Sequence, residues 1–144
     1  MHAGNFRILL VEDTPSDVWL MREALRLAQI PVLLTVASDG MEARRYLHQL
    51  EIQGADYPDL ILLDLNLPRR NGRELLGDIK RSRKLQPIPV VVLSSSQAEE
   101  DQWQACALQA EGFVTKPNSL PAYVEMVRGL DKFWLTGFEL RRTA

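Results

Sequence analysis

Leu60-Ile61-Leu62-Leu63-Asp64 sets an apolar run of four residues against a terminal carboxylate. The run is short, apolar on both alternating faces and bounded by Pro58 and Pro68. That pattern suits a central parallel strand covered on both sides. In sheets of this kind ligands bind beyond the carboxyl ends of the strands. An acid at that edge is a candidate nucleophile or metal ligand, and read alone Asp64 is equally a solvated surface charge.

Working outward, similar runs recur. Phe6–Val11, Val32–Ala37, Ile88–Leu93 and the short Gly112–Thr115 read as strands, with Leu60–Leu63 third in the series. Between them lie stretches of helical spacing, such as Val18, Met21, Leu25 and Ala28, or Leu75, Leu76 and Ile79. Five alternations predict βα units and a mainly parallel, doubly wound α/β sheet. Four segments carry a helix-start signature of cap residue and downstream acid: Thr14-Pro15-Ser16-Asp17, Asp39-Gly40-Met41-Glu42, Asn71-Gly72-Arg73-Glu74 and Ser96-Gln97-Ala98-Glu99. Ile52–Pro58 and Arg83–Pro89 read as surface loops.

The bulk numbers narrow the function classes. The chain has 144 residues, 46% hydrophobic and 25% charged, which suits one globular domain spanning 1–144. A net charge of −2 offers no basic surplus for a phosphate backbone, so nucleic acid is not expected as a partner. The single cysteine, Cys106, excludes an internal disulfide framework and fits a reducing compartment, with Cys106 itself read as a small core residue. Neither a leader nor a membrane span is expected, and the location read from this is cytoplasmic.

The strand ends carry the chemistry. The first strand ends in Glu12-Asp13, the third in Asp64, the fourth in Ser94-Ser95-Ser96 and the fifth in Lys116-Pro117. The second ends in Ser38-Asp39, an ordinary helix cap. First and third strands are neighbours at the switch point of a doubly wound sheet, so Glu12, Asp13 and Asp64 are expected together. Three crowded carboxylates repel unless compensated, and a divalent cation plus Lys116 would balance them. Mg²⁺ favours such oxygen ligands and completes its shell with water or a phosphate. A carboxylate can attack a phosphoryl group to give an aspartyl phosphate, and Ser94 can bond a phosphoryl oxygen.

Glu12-Asp13, Asp64 with Asn66, Pro68 and Gly72, then Ser94 and Lys116-Pro117, resemble the receiver domain of two-component response regulators. Ser94 follows Asp64 by 30 positions and Lys116 follows it by 52, and the likeness runs from Phe6 to about Leu130. The resemblance implies a flavodoxin-like three-layer fold with five parallel strands in the order 2-1-3-4-5. It implies that Asp64 accepts a phosphoryl group from a sensor histidine kinase. It implies that Glu12, Asp13, the Asp64 carboxylate and the Asn66 backbone carbonyl hold Mg²⁺, with Ser94 as switch hydroxyl and Lys116 on the phosphoryl group. Phe113 occupies the switch-aromatic position, without a hydroxyl, and relays with Ser94 to the fourth helix, fifth strand and fifth helix. Val11-Glu12-Asp13-Thr14-Pro15-Ser16-Asp17, Leu63-Asp64-Leu65-Asn66-Leu67-Pro68 and Phe133-Trp134-Leu135 further resemble single-domain regulators paired with bacterial phytochrome kinases, although Thr14 stands where asparagine is expected.

The last helix is expected from about Ser119 to Thr136, with Val124, Val127, Leu130 and Trp134 packed on the sheet and Met126 and Phe133 off that stripe. Together with an apolar extension over about 131–144, this predicts a symmetric homodimer anchored by Phe133, Trp134 and Leu135. No output domain is expected after the receiver, so the output is read as a protein contact, altered dimerisation or onward phosphate relay. His48 reads as a solvated surface residue. Other functions fit the residues less well. A haloacid-dehalogenase-type phosphohydrolase needs an acid two residues after its nucleophile, where Asn66 stands. A flavin carrier needs a phosphate loop where Glu12-Asp13 would repel one. A constitutive binding module would not need the full acid, hydroxyl and lysine set. The expectation is a signalling phosphoacceptor and not a turnover enzyme.

Overall fold

A computed structural model of the chain describes residues 6–65, 67, 72–95 and 110–130. Five strands, β1 (Phe6–Val11), β2 (Val32–Ala37), β3 (Leu60–Asp64), β4 (Val90–Ser94) and β5 (Gly112–Thr115), form one sheet in the order β2-β1-β3-β4-β5. Every neighbouring pair is parallel. The described helices are α1 (Pro15–Leu27), α2 (Gly40–Gln53), α3 (Gly72–Arg81) and α4 (Leu120–Arg128). The helix start expected at Asn71, the one expected at Ser96, Cys106, and the extension beyond Leu130 all lie outside the described residues.

Two-residue periodicity sends alternate strand side chains into two cores. Leu9, Val11, Ile61, Leu63, Val90 and Val92 pack with Leu47 and Leu50 of α2 and Leu75, Leu76 and Ile79 of α3. Ile8, Leu10, Leu60, Leu62, Val91 and Leu93 pack on the other side with Met21, Ala24 and Leu25 of α1 and Tyr123 and Val127 of α4. β3 and β4 are buried along their whole length, which is why their sequences are continuous apolar runs.

Local chemistry accounts for the departures from expectation. β4 begins at Val90 and not Ile88, because the Ile88 N–H closes a turn onto Leu85 O (2.9 Å) and Pro89 has none. α2 runs on through Ile52 and Gln53 to a left-handed Gly54 at φ 73°, so the loop starts later than the sequence suggested. Asp39 caps α2 as expected, accepting from Glu42 N at 2.8 Å, while Glu42 reaches back to Ser38 N at 2.9 Å. Thr14 does not cap α1 through its side chain; its carbonyl accepts from Asp17 N and Val18 N, both at 3.1 Å. Ser119 caps α4 through its side chain, and the helix ends at Arg128 with Gly129 as its C-cap, short of the end expected near Thr136. Met126 packs against the core although the sequence stripe left it off; Val127 and Leu130 are buried as expected.

Register delivers the strand ends to one edge. Val11 lies beside Leu63, Asp64 beside Leu93 and Ser94 beside Thr115. Gly72 opens α3 directly against the end of β3; a Cβ there would lie 3.0 Å from Asp64 O and 3.2 Å from Leu65 O. Gly72→Ala therefore pushes on the backbone that aims Asp64. We expect it to cost about 1–3 kcal/mol in urea unfolding, and unchanged stability would show that the helix start yields freely.

Candidate functional site

The pocket forms where β1, β3, β4 and β5 end. Glu12 follows the last residue of β1, and its carboxylate is buried beside Asp64, the last residue of β3. Asp13 is exposed. Carboxylate oxygens of Glu12, Asp13 and Asp64 lie within 4.8 Å of one another. Ser94 ends β4, fully buried, and its Oγ has no hydrogen-bond partner among the described residues. Lys116 follows β5, and its backbone N–H donates to Ser94 O at 2.7 Å, which ties its position to β4.

Lys116 Nζ reaches across the strand ends. It lies 2.9 Å from Glu12 Oε1, 3.0 Å from Asp17 Oδ2 and 3.2 Å from Asp64 Oδ2. Burial works against its charge, but the bonds to Glu12 and Asp17 and the charges of Glu12 and Asp64 outweigh that, and its pKa stands above the ordinary lysine value. Burial also dominates at Glu12: with the Asp64 charge, and against the Lys116 bond, it pushes the Glu12 carboxyl up to about 7. Tyr123 on α4 is buried behind this group, and burial followed by the Asp17 charge raises its phenol.

Glu12, Asp13, Asp64, Ser94 and Lys116 thus converge as the strand ends foretold. Phe113 is half-buried, paired in register with Val92, and packs into the α2–α3 core on the face that Ser94 shares by strand parity. Asn66, Phe133, Trp134 and Leu135 lie outside the described residues. Two residues escaped the sequence reading. Asp17 looked like an ordinary helix-start acid, and its bond to Lys116, 99 positions away, has no signal in the local sequence. Tyr123 was passed over beside the plainer valines. His48 is solvent-exposed as expected. An open groove of about 770 Å³ between α2 and α3 is lined by Arg44, Glu51, Asp78 and Arg81, among others, and by none of the strand-end acids. Its charges pair internally, Arg44 with Glu51 at 3.3 Å and Arg81 with Asp78 at 2.9 Å.

The donor set fits a divalent cation. Three carboxylates contact one ammonium, a fourth, Asp13, clusters with Glu12 and Asp64 as hard oxygen donors, and an unbonded buried hydroxyl lies on the neighbouring strand end. Binding requires ionised carboxylates. As pH falls through 7, Glu12 takes up a proton, so Mg²⁺ affinity should fall by up to about tenfold per pH unit below 7 and level off above 8. Calorimetric titration from pH 6 to 8 checks this; a flat profile contradicts it. The sign for stability follows. The folded-state value lies above the ordinary carboxyl value of 4.5, so ionising Glu12 destabilises the metal-free fold as pH rises from 4.5 through 7. Glu12→Gln should then raise the melting temperature at pH 8 in chelator.

Among the described residues no helix is long and apolar enough to cross a membrane. Residues 8–128 match the family model of the response regulator receiver domain. The chain is 42% identical to the response regulator Rcp1 of Synechocystis sp. over 129 residues, 89% of this chain and 88% of that protein. Among solved structures it is similar to the phosphorylated cyanobacterial phytochrome response regulator RcpA, with a TM-score of 0.78, 44% identity and coverage of 91% of this chain and 94% of that one. The Mn²⁺-bound form of Rcp1 superposes with a TM-score of 0.76 at 41% identity, covering 90% of this chain and 94% of that one. With the strand order, the converging acids, the hydroxyl and the lysine all in place, this chain belongs to the response regulator receiver domain family.

Proposed function

We propose that Asp64 is the phosphoacceptor of a Mg²⁺-dependent signalling switch, charged by a sensor histidine kinase. The observation that carries this is the convergence of Asp64 with Glu12, Asp13 and Lys116 beside the unpartnered hydroxyl of Ser94. The Asp64 carboxylate attacks phosphorus; the phosphorus–nitrogen bond to the kinase histidine breaks, and its electron pair leaves with the imidazole, which takes up a proton. Glu12, Asp13 and Asp64, with the Asn66 backbone carbonyl, would hold the cation, which would supply positive charge against the transferred group. Lys116 supplies a fixed positive charge for the phosphoryl oxygens, and Ser94 donates its hydroxyl to one of them. Ser94 and Phe113 share the α2–α3 face of the sheet, which supports a relay by packing from the phosphoryl group through Phe113. The protein then acts as a self-modifying signal carrier, with no further substrate to turn over.

Similarity to Rcp1 and RcpA supports a phytochrome kinase as the upstream partner, hence a light signal. We also infer a homodimer anchored by Phe133, Trp134 and Leu135, a reading that rests on their apolar sequence pattern alone. Sedimentation checks it: Phe133→Ala or Trp134→Ala should convert a dimeric parent to monomer, and unchanged mass removes these anchors. For the switch itself, acetyl phosphate with Mg²⁺ should add one acid-stable, base-labile phosphoryl group by intact mass. Asp64→Asn should acquire none and Ser94→Ala should react about tenfold or more slowly. An equal adduct on Asp64→Asn defeats the assignment.

A further inference from the structure

Asp17 stands outside the cluster of candidate metal ligands yet shares a lysine with it. It sits in the first turn of α1, and its carboxylate accepts from Lys116 Nζ at 3.0 Å. Asp64 Oδ2 accepts from the same nitrogen at 3.2 Å and Glu12 Oε2 at 3.1 Å. An ammonium has three N–H donors, so these three carboxylates engage them all. The acids differ in depth: the side chain of Asp17 is 23% exposed, that of Asp64 6% and that of Glu12 2%. Lys116 is therefore stretched between an outer acid and two inner ones. Asp17 is itself backed by the buried Tyr123 of α4, near enough for the Asp17 charge to raise the phenol.

We infer that Asp17 is a positioning residue that draws Lys116 toward the mouth of the pocket and so keeps Glu12 and Asp64 open to the divalent cation, an inference that rests on the phosphoacceptor site proposed above. Without Asp17 the ammonium has only Glu12 and Asp64 for anionic partners among these three. It settles on them and competes with the cation for their oxygens. Loss of a negative charge by itself would also weaken cation binding through space, whatever Lys116 does. The two causes separate in a Lys116→Met background, where there is no ammonium to position.

The experiment titrates Mg²⁺ alone, by calorimetry at pH 8, into the parent, Asp17→Asn, Asp17→Glu, Lys116→Met and the Asp17→Asn/Lys116→Met double variant, each first shown folded by circular dichroism. Asp17→Asn should weaken Mg²⁺ binding about fivefold in the parent and less than about twofold in the Lys116→Met background. Asp17→Glu should restore affinity to within about twofold of the parent. A second readout needs no metal: in chelator, the melting-temperature changes of Asp17→Asn and Lys116→Met should be strongly non-additive. Equal weakening in both backgrounds, no weakening in the parent, or additive melting changes would each overturn the inference. Failure of the parent to take a phosphoryl group from acetyl phosphate would defeat the preceding assignment while leaving these Mg²⁺ affinities measurable. A parent that binds no Mg²⁺ defeats both.

Discussion

The ammonium of Lys116, held within 3.2 Å of Glu12, Asp17 and Asp64, is the interaction on which the site depends. Carboxylates this close and this buried do not coexist as anions without compensation. One lysine supplies part of that compensation, and the remaining charge makes the pocket receptive to a divalent cation. The arrangement stores negative charge in the resting protein and turns it into affinity for a cation and its phosphate. A hydrophobic filling at these positions would make a more stable sheet edge and a protein without a switch.

The sheet makes the interaction possible. Parallel register aligns the ends of β1, β3, β4 and β5, so residues separated by as many as 104 positions in sequence meet. Strand parity then assigns faces. Asp64 continues the row of Leu60 and Leu62 toward α1 and α4, where Asp17 and Tyr123 stand. Ser94 continues the row of Val90 and Val92 toward α2 and α3, where Phe113 packs. Charge compensation and the candidate relay thus occupy opposite faces of one sheet edge, joined by the Lys116 N–H bond to Ser94 O at 2.7 Å.

Most of this was legible because central parallel strands must be apolar throughout, so any polar residue at their ends stands out. Glu12, Asp13, Asp64, Ser94 and Lys116 announce themselves in that way. Asp17 does not, since acids are ordinary in the first turn of a helix and its partner is 99 positions away. Tyr123 hides for the opposite reason: a phenol suits core and surface alike, and only packing shows that its ring is buried behind the acids. The start of β4 was misjudged because the Ile88 N–H turns onto Leu85 O, whereas α1 starts at Pro15 as read and only its cap bond differs, made by the Thr14 carbonyl and not by its hydroxyl. Neither bond has a signature in residue type.

The central claim is that Asp64, among four neighbouring acids, is the one that bears the phosphoryl group. An acyl phosphate is reduced by borohydride to the alcohol, which converts a phosphorylated aspartate to homoserine while leaving free carboxylates untouched. Reducing the acetyl-phosphate-treated protein and sequencing its peptides by mass spectrometry therefore reads the site directly. The account predicts homoserine at position 64 alone. Homoserine at position 13 or 17, the corresponding alcohol at Glu12, or no reduced residue at all would contradict it.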